Sequence, residues 1–90
     1  MSEFYFYVEN GMYSLTIDSL EDHYLLTISK YIRWSGTTED EVIIGEIKID
    51  KETLKPFSIY IRYSYTNFSK EVWRRVLAKA LELFYHWYNL

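Results

Sequence analysis

The chain has 90 residues, which is the size of one small domain; 49% of them are apolar and 20% are aromatic, including ten tyrosines. It contains no cysteine, which excludes disulfide bonds and thiolate metal sites. No segment approaches the ~20 consecutive apolar residues of a transmembrane helix, and the first residues lack the basic start and apolar run of a signal peptide. We therefore expect a single domain over residues 1–90 that is intracellular, cytoplasmic and without membrane contact.

Charge is unevenly distributed along the chain. The net charge is −3, but residues 1–50 hold ten acidic and three basic side chains, which gives −7, whereas residues 51–90 carry +4. Such asymmetry is typical of a partner-binding surface, although acidic side chains that gather in loops produce the same pattern.

The amino-acid composition also bears on the source. The absence of Gln and Cys, with only three Asn and two Met, indicates a thermophilic source.

The first two strands form the clearest element. Asn10-Gly11 separates two alternating segments, and this dipeptide favours a two-residue type I′ hairpin turn. Such a turn predicts three apolar pairs on one face of the sheet: Val8 with Tyr13, Phe6 with Leu15, and Phe4 with Ile17.

Alternation predicts three further strands, and helical spacing predicts one helix. The strands are expected at His23–Trp34, Glu41–Asp50 and Phe57–Tyr65. The helix is expected to begin after the N-cap Ser69 and to end near Tyr88. Because the connecting loops are short, we predict an α+β fold: a five-stranded antiparallel β-meander sheet followed by one C-terminal α-helix packed on one face.

The alternation also assigns side chains to the two faces of the sheet. Ile43 and Phe57 are expected on the apolar face, towards the helix. Lys30 interrupts the apolar positions of the third strand, and it points outward only if a β-bulge shifts the register there.

The predicted helix is too narrow for the predicted sheet. Five strands span ~19 Å between the outer strand axes, whereas one helix is ~10 Å across. The apolar arc of the helix is also wider than the ~100° stripe that packing on one sheet requires. We therefore predict a homodimer whose interface includes Leu77, Leu81, Phe84 and Tyr88.

No residue pattern predicts catalysis or metal binding. His23 and His86 have no predicted partner carboxylate or nucleophile, and Glu39-Asp40-Glu41 lacks the ligand spacing of a calcium loop. There is no phosphate-binding glycine loop or nucleophile elbow. We expect a protein that is not an enzyme and uses no cofactor or metal, with a small hydrolase using either histidine as the third alternative.

The outward face of the sheet carries aromatic and basic side chains together. Tyrosines can stack unpaired bases while Lys and Arg contact phosphates. The predicted base-stacking residues are Tyr5, Tyr7, Tyr31 and Tyr60, and the predicted phosphate contacts are Lys30, Arg33, Lys48 and Arg62. Tyr and Arg are also good strand formers on a half-solvated face, and the acidic first half opposes tight, non-specific binding to phosphates.

The segment Phe68-Ser69-Lys70-Glu71-Val72-Trp73-Arg74-Arg75-Val76 resembles the start of the helix in the transcriptional positive cofactor four family. Phe6-Tyr7-Val8 and the strands after it are similar to that family's first strands. The resemblance, which extends to the whirly proteins, implies a curved antiparallel sheet, dimerisation through the helices and single-stranded DNA binding on the sheet. The strand Glu41–Asp50 is additional to that pattern, and most of the family's early basic residues are missing.

The leading hypothesis is therefore a non-enzymatic, homodimeric protein that binds single-stranded DNA or RNA. The alternative is a small protein-binding module or inhibitor, for example a viral accessory protein, that uses the acidic N-terminal half as its binding surface.

Overall fold

The computed structural model describes residues 1–34, 38–62 and 69–90, with the side chains of residues 33, 34, 38 and 39 excepted. Five antiparallel strands form one open sheet in the order β1-β2-β3-β4-β5, and one helix follows. The elements are β1 Ser2–Val8, β2 Gly11–Ser19, β3 His23–Trp34, β4 Thr38–Asp50, β5 Pro56–Ile61 and α1 Lys70–Tyr88. The predicted α+β fold is confirmed.

The β1–β2 hairpin turns earlier than predicted. Val8 pairs with Gly11, so the turn residues are Glu9 and Asn10, and Glu9 adopts a positive φ of 53°. The predicted pairs are therefore wrong, although the shift of two residues keeps every side chain on its predicted face. A Cβ atom at Gly11 would lie 3.0 Å from the Tyr13 ring. An alanine here would require the Tyr13 ring to move by a few tenths of an ångström.

A β-bulge in β4 changes the face of several residues. Ile28 pairs with Gly45 and Ser29 with Ile43, which leaves Ile44 as the extra residue. Ile44 is consequently buried, whereas Ile43 is 41% exposed and points away from the helix. The inward assignment of Ile43 is therefore wrong. A bulge inserts one residue, and this reverses the alternation on its N-terminal side.

The bulge does not turn Lys30 outward. The pairing of β2 with β3 is continuous, and Lys30 stays opposite Tyr13 on the helix side of the sheet. Its Nζ lies 5.8 Å from the centre of the Tyr13 ring. The condition for a phosphate contact at Lys30 is therefore not met.

The hydrophobic core lies between the sheet and α1. Ser69 caps the helix as predicted, because its Oγ accepts a hydrogen bond of 3.2 Å from the Val72 N–H. Gly45 lets the helix approach, since a Cβ there would lie 3.2 Å from the Trp73 ring. The core residues are Phe6, Val8, Tyr13, Leu15, Ile17, Leu26, Ile28, Ile44, Ile47, Ile49, Trp73, Val76, Ala80 and Phe84.

The helix is displaced towards β1. Arg75 forms an ion pair of 3.2 Å with Glu9, and the Trp87 indole N–H donates to the Ser2 hydroxyl at 3.0 Å. Edge strand β5 is less well covered: Ile59 is 51% exposed although it pairs with the buried Ile47. The helix therefore leaves one edge of the apolar face open.

The structure corrects the predicted locations of two phenylalanines. Phe57 is the extra residue of a second bulge, is 59% exposed, and lies with its ring 5.9 Å from the His23 ring instead of in the core. Phe84 is completely buried within one subunit, so it is a core residue and is not accessible to a dimer interface. Leu77 and Leu81 are half-buried beside the core, and Tyr88 is exposed.

Candidate functional site

The side of the sheet away from α1, here called the outer face, has a floor of small polar side chains between larger rims. Two rows of paired residues cross it. One row is Tyr5-Ser14-Ser29-Ile43, and the other is Glu3-Thr16-Thr27-Glu46-Tyr60. The small central residues leave a shallow depression between the β1 rim and the β4–β5 rim.

An open cleft of about 340 Å³ occupies this depression. It is lined by Thr16, Thr27, Ser29, Glu41 and Ile43. Beneath Glu41, the completely buried Ser14 donates a hydrogen bond of 2.7 Å to Glu41 Oε1. The bond reaches from β2 across β3 to β4, so it holds the carboxylate over the floor of the cleft.

Ser29 is the second polar group of interest in the cleft. The residue is only 6% exposed, and it lines the cleft. A hydroxyl can both donate and accept a hydrogen bond. Ser29 therefore places a hydrogen-bonding group at the cleft that a bound ligand can use.

Three of the predicted base-stacking residues gather at one rim. The ring centres of Tyr5 and Tyr31 are 6.2 Å apart, and Tyr7 follows Tyr5 on the same face. The Tyr5 hydroxyl donates to Glu3 Oε1, and this bond, followed by one with Tyr31, raises the pKa of Tyr5 above its ordinary value. Tyr60 is exposed on β5, four strand spacings or ~19 Å away.

The predicted phosphate contacts are largely absent from this face. Lys48 points outward between two buried isoleucines. Arg62 is exposed just beyond β5, where its backbone N–H donates to the Ile44 carbonyl oxygen. Lys30 lies on the helix side, and the Arg33 side chain is outside the described residues. The carboxylates that face outward on the described strands are Glu3, Asp18, Glu41, Glu46 and Asp50. The described part of the face is therefore more acidic than basic.

Neither histidine forms a catalytic arrangement with described residues. His23 Nδ1 lies 2.6 Å from Asp22 Oδ1, and this hydrogen bond is the main cause of the lowered pKa of Asp22. His86 is exposed on α1. Within the described ranges, no cluster of three or more His, Asp or Glu could hold a metal ion, and no helix is long and apolar enough to cross a membrane.

Sequence reasoning missed Glu41, Ser14 and Ser29 as a group. Alternation could identify both serines as outward residues, because they neighbour apolar core positions. Glu41 could not be assigned with them, since uninterrupted alternation from the core residue Ile47 places it on the helix side. The bulge at Ile44 reverses that assignment.

No protein-family model, curated protein or solved structure matches the chain. The resemblance to the positive cofactor four family therefore stays a prediction, and the geometry and charge of the outer face are the basis for a functional proposal.

Proposed function

We propose that the protein is a non-enzymatic binding module that takes a cationic segment of a partner protein on its outer face. The observation that supports this proposal best is the combination of exposed tyrosines with the oriented Glu41 carboxylate. A positively charged segment meets favourable charge at Glu41 and Glu46, together with aromatic surface at Tyr5 and Tyr7.

The energetic roles of the two residue types differ. Exposed tyrosines supply large contact areas and ring faces that attract Lys and Arg, with each cation–π contact contributing ~0.5–1 kcal/mol at an exposed site. The carboxylates act mainly on the association rate and on partner choice, and their effect weakens with salt. This division predicts binding that is faster at low ionic strength and retains a salt-independent aromatic contribution.

Binding of single-stranded nucleic acid is the second candidate, and it is favoured by four tyrosines on one face. Base stacking on an aromatic ring contributes ~1–3 kcal/mol per base. The strand's phosphates would, however, approach Glu3, Glu41 and Glu46, and Lys48 and Arg62 are the described cations available to offset this repulsion. Phosphate neutralisation supplies most of the affinity in such complexes, so the charges support a cationic partner better.

We also propose a homodimer, formed by antiparallel pairing of β5 with the β5 strand of a second copy. Among the described strands β5 pairs only with β4, so its other edge has backbone groups open to a new strand. A twofold axis at Ile59 would place Ile59 beside its own copy and Phe57 beside Ile61 of the second copy. The sequence predicted the dimer from the mismatch in width between sheet and helix and from the wide apolar arc of the helix. The proposed pairing moves its interface to the open edge of the sheet.

Light scattering tests the dimer with Ile59→Lys, which places a charge at the twofold axis without touching the buried core. The wild type is expected to have the mass of two chains and the variant the mass of one. A monomeric wild type at micromolar concentration contradicts the proposed dimer. The proposed binding by the outer face does not depend on this result.

Fluorescence anisotropy separates the two functional candidates. The probes are a labelled lysine-rich peptide, a glutamate-rich peptide of the same length and a labelled single-stranded oligonucleotide, each titrated at several salt concentrations. The proposal predicts binding of the lysine-rich peptide alone, with an affinity that falls as salt rises. Oligonucleotide binding without peptide binding would favour the second candidate, and no binding of either contradicts both.

A further inference from the structure

The cleft on the outer face contains groups suited to one small cation. Its polar lining comprises the Glu41 carboxylate and the hydroxyls of Thr16, Thr27 and Ser29. Ser29 is more than nine-tenths buried and lines the cleft. Its hydroxyl can accept a hydrogen bond from a bound donor.

The charge and polarity of the lining restrict the ligand. An anion would be repelled by Glu41, and an apolar group would leave three hydroxyls without hydrogen bonds. A primary ammonium group carries one positive charge and three donors, which match one carboxylate and the neighbouring hydroxyl acceptors. Ile43, which forms the apolar wall, can pack against the aliphatic chain that carries such a group.

The Ser14 hydrogen bond favours an ammonium over a guanidinium group. A guanidinium group binds most strongly when both carboxylate oxygens accept its two parallel N–H groups. Glu41 Oε1 already accepts from Ser14 at 2.7 Å, so a guanidinium group that used both carboxylate oxygens would share Oε1 with the Ser14 bond. An ammonium group needs only one such oxygen because it acts as a compact point charge.

We propose that this cleft binds a primary ammonium group, supplied by a lysine side chain of the partner protein. The identification of the partner's lysine rests on the proposed function, whereas the binding of an alkylammonium ion by the cleft does not. Glu41 carries the charge, Ser29 accepts a hydrogen bond, and Ser14 positions Glu41 without touching the ligand.

The first test uses n-butylammonium as the probe and follows the backbone amide signals of the isotope-labelled protein by NMR. Glu41→Gln removes the charge while keeping an oxygen that can accept from Ser14. Asp18→Asn is the matched control, because Asp18 faces outward on β2 but does not line the cleft. The inference predicts saturable shifts around Ser29 and Glu41, with an affinity at least about tenfold lower in Glu41→Gln and nearly unchanged in Asp18→Asn.

Equal weakening by the two variants, or shifts that do not saturate, would overturn the inference, because a diffuse acidic surface behaves in that way. Ser14→Ala is expected to weaken binding of the probe less than Glu41→Gln does, but more than the control Asp18→Asn does. Thermal melting of each variant establishes that it is folded before its affinity is read.

The second test separates this inference from the proposed function. The lysine-rich peptide is compared with versions in which the lysines are acetylated or replaced by arginine. Loss of binding on acetylation and weaker binding of the arginine peptide support the cleft as a lysine site. If the lysine and arginine peptides bind equally and Glu41→Gln weakens both alike, the proposed function survives and the ammonium site is overturned. If butylammonium saturates the cleft but no peptide binds, the site stands and the proposed function fails.

Discussion

The helix side and the outer face of this sheet are made from alternate residues of the same strands, yet they differ in size, charge and exposure. On the helix side, branched and aromatic side chains are completely buried, as at Leu15, Ile28 and Phe84. On the outer face, the residues next to them in sequence include Ser14 and Ser29, with larger groups at the rims. Small side chains at the centre leave a cleft where a flat sheet would otherwise offer none.

In so small a chain, the same alternating strands supply both a buried face and a face that is open to binding. Burial of the helix side provides the stability, because the free energy of folding scales with the apolar area removed from water. The outer face contributes little to that burial, so its residues are free to serve binding. Substitutions on the two faces should therefore have separable effects.

The largest expected effect is on the helix side. Phe84→Ala should lower the free energy of unfolding by ~3–5 kcal/mol, since it leaves a cavity under a completely buried ring. Chemical denaturation measures this loss. The matched variant Tyr7→Ala removes a ring that is 70% exposed on the outer face, and it should change stability by no more than ~0.5 kcal/mol. Similar losses for both would break the distinction between the faces.

A smaller effect is expected where the helix approaches the sheet most closely. In Gly45→Ala the new Cβ would lie 3.1 Å from the Tyr60 carbonyl oxygen and 3.2 Å from the Trp73 ring. We expect a loss of ~1–3 kcal/mol by overpacking, measured by thermal melting. Lys48→Ala on the outer side of the same strand is the control and should be nearly neutral. A stable Gly45→Ala protein would show that Trp73 is not packed against β4.

The smallest effect concerns two tyrosines whose pKa is raised for different reasons. Burial is the main cause for Tyr13 on the helix side, whereas the hydrogen bond to Glu3 is the main cause for Tyr5 on the outer face. The pKa of Tyr5 in the folded protein lies above its value of ~10 in the unfolded chain. The contribution of the Tyr5 hydrogen bond to stability is therefore present below pH ~10 and is lost as the pH rises through the folded pKa.

Glu3→Gln tests these causes separately. Spectrophotometric titration of the phenols should find that the pKa of Tyr5 moves back towards its ordinary value in the variant, while that of Tyr13 does not change. A Tyr5 pKa that is unaffected by Glu3→Gln would contradict the Glu3–Tyr5 hydrogen bond.

The sequence predicted the elements whose local chemistry agrees with their packing. Ser69 is an N-cap by residue type, and the helix begins immediately after it. The alternation in β1 and β2 assigned each side chain to its correct face, even though the predicted pairs were wrong. The turn lies at Glu9 and Asn10, and Gly11 lies in β2, where an added Cβ would be 3.0 Å from the Tyr13 ring. Residue type alone does not distinguish a glycine in a turn from a glycine in a strand.

The candidate site was less predictable for a physical reason. It depends on Glu41, whose orientation is set by a bulge three residues away, at Ile44. Val42-Ile43-Ile44 is a continuous apolar segment, so its sequence carries no alternation that could locate the extra residue. Tyr5, Tyr7 and Tyr31 could be identified because their strands alternate regularly, and Tyr60 because it follows the bulge in β5.

If one face binds a partner while the other stabilises the fold, peptide affinity and thermal melting should change independently in two variants measured on the same samples. Tyr5→Ala should weaken binding of the lysine-rich peptide several-fold while its melting temperature stays close to that of the wild type. Val76→Ala, at a completely buried helix position, should melt earlier while the folded protein binds with unchanged affinity. Early melting of Tyr5→Ala with unchanged peptide affinity would contradict the account, because it would mean that the outer tyrosines hold the sheet together instead of contacting a partner.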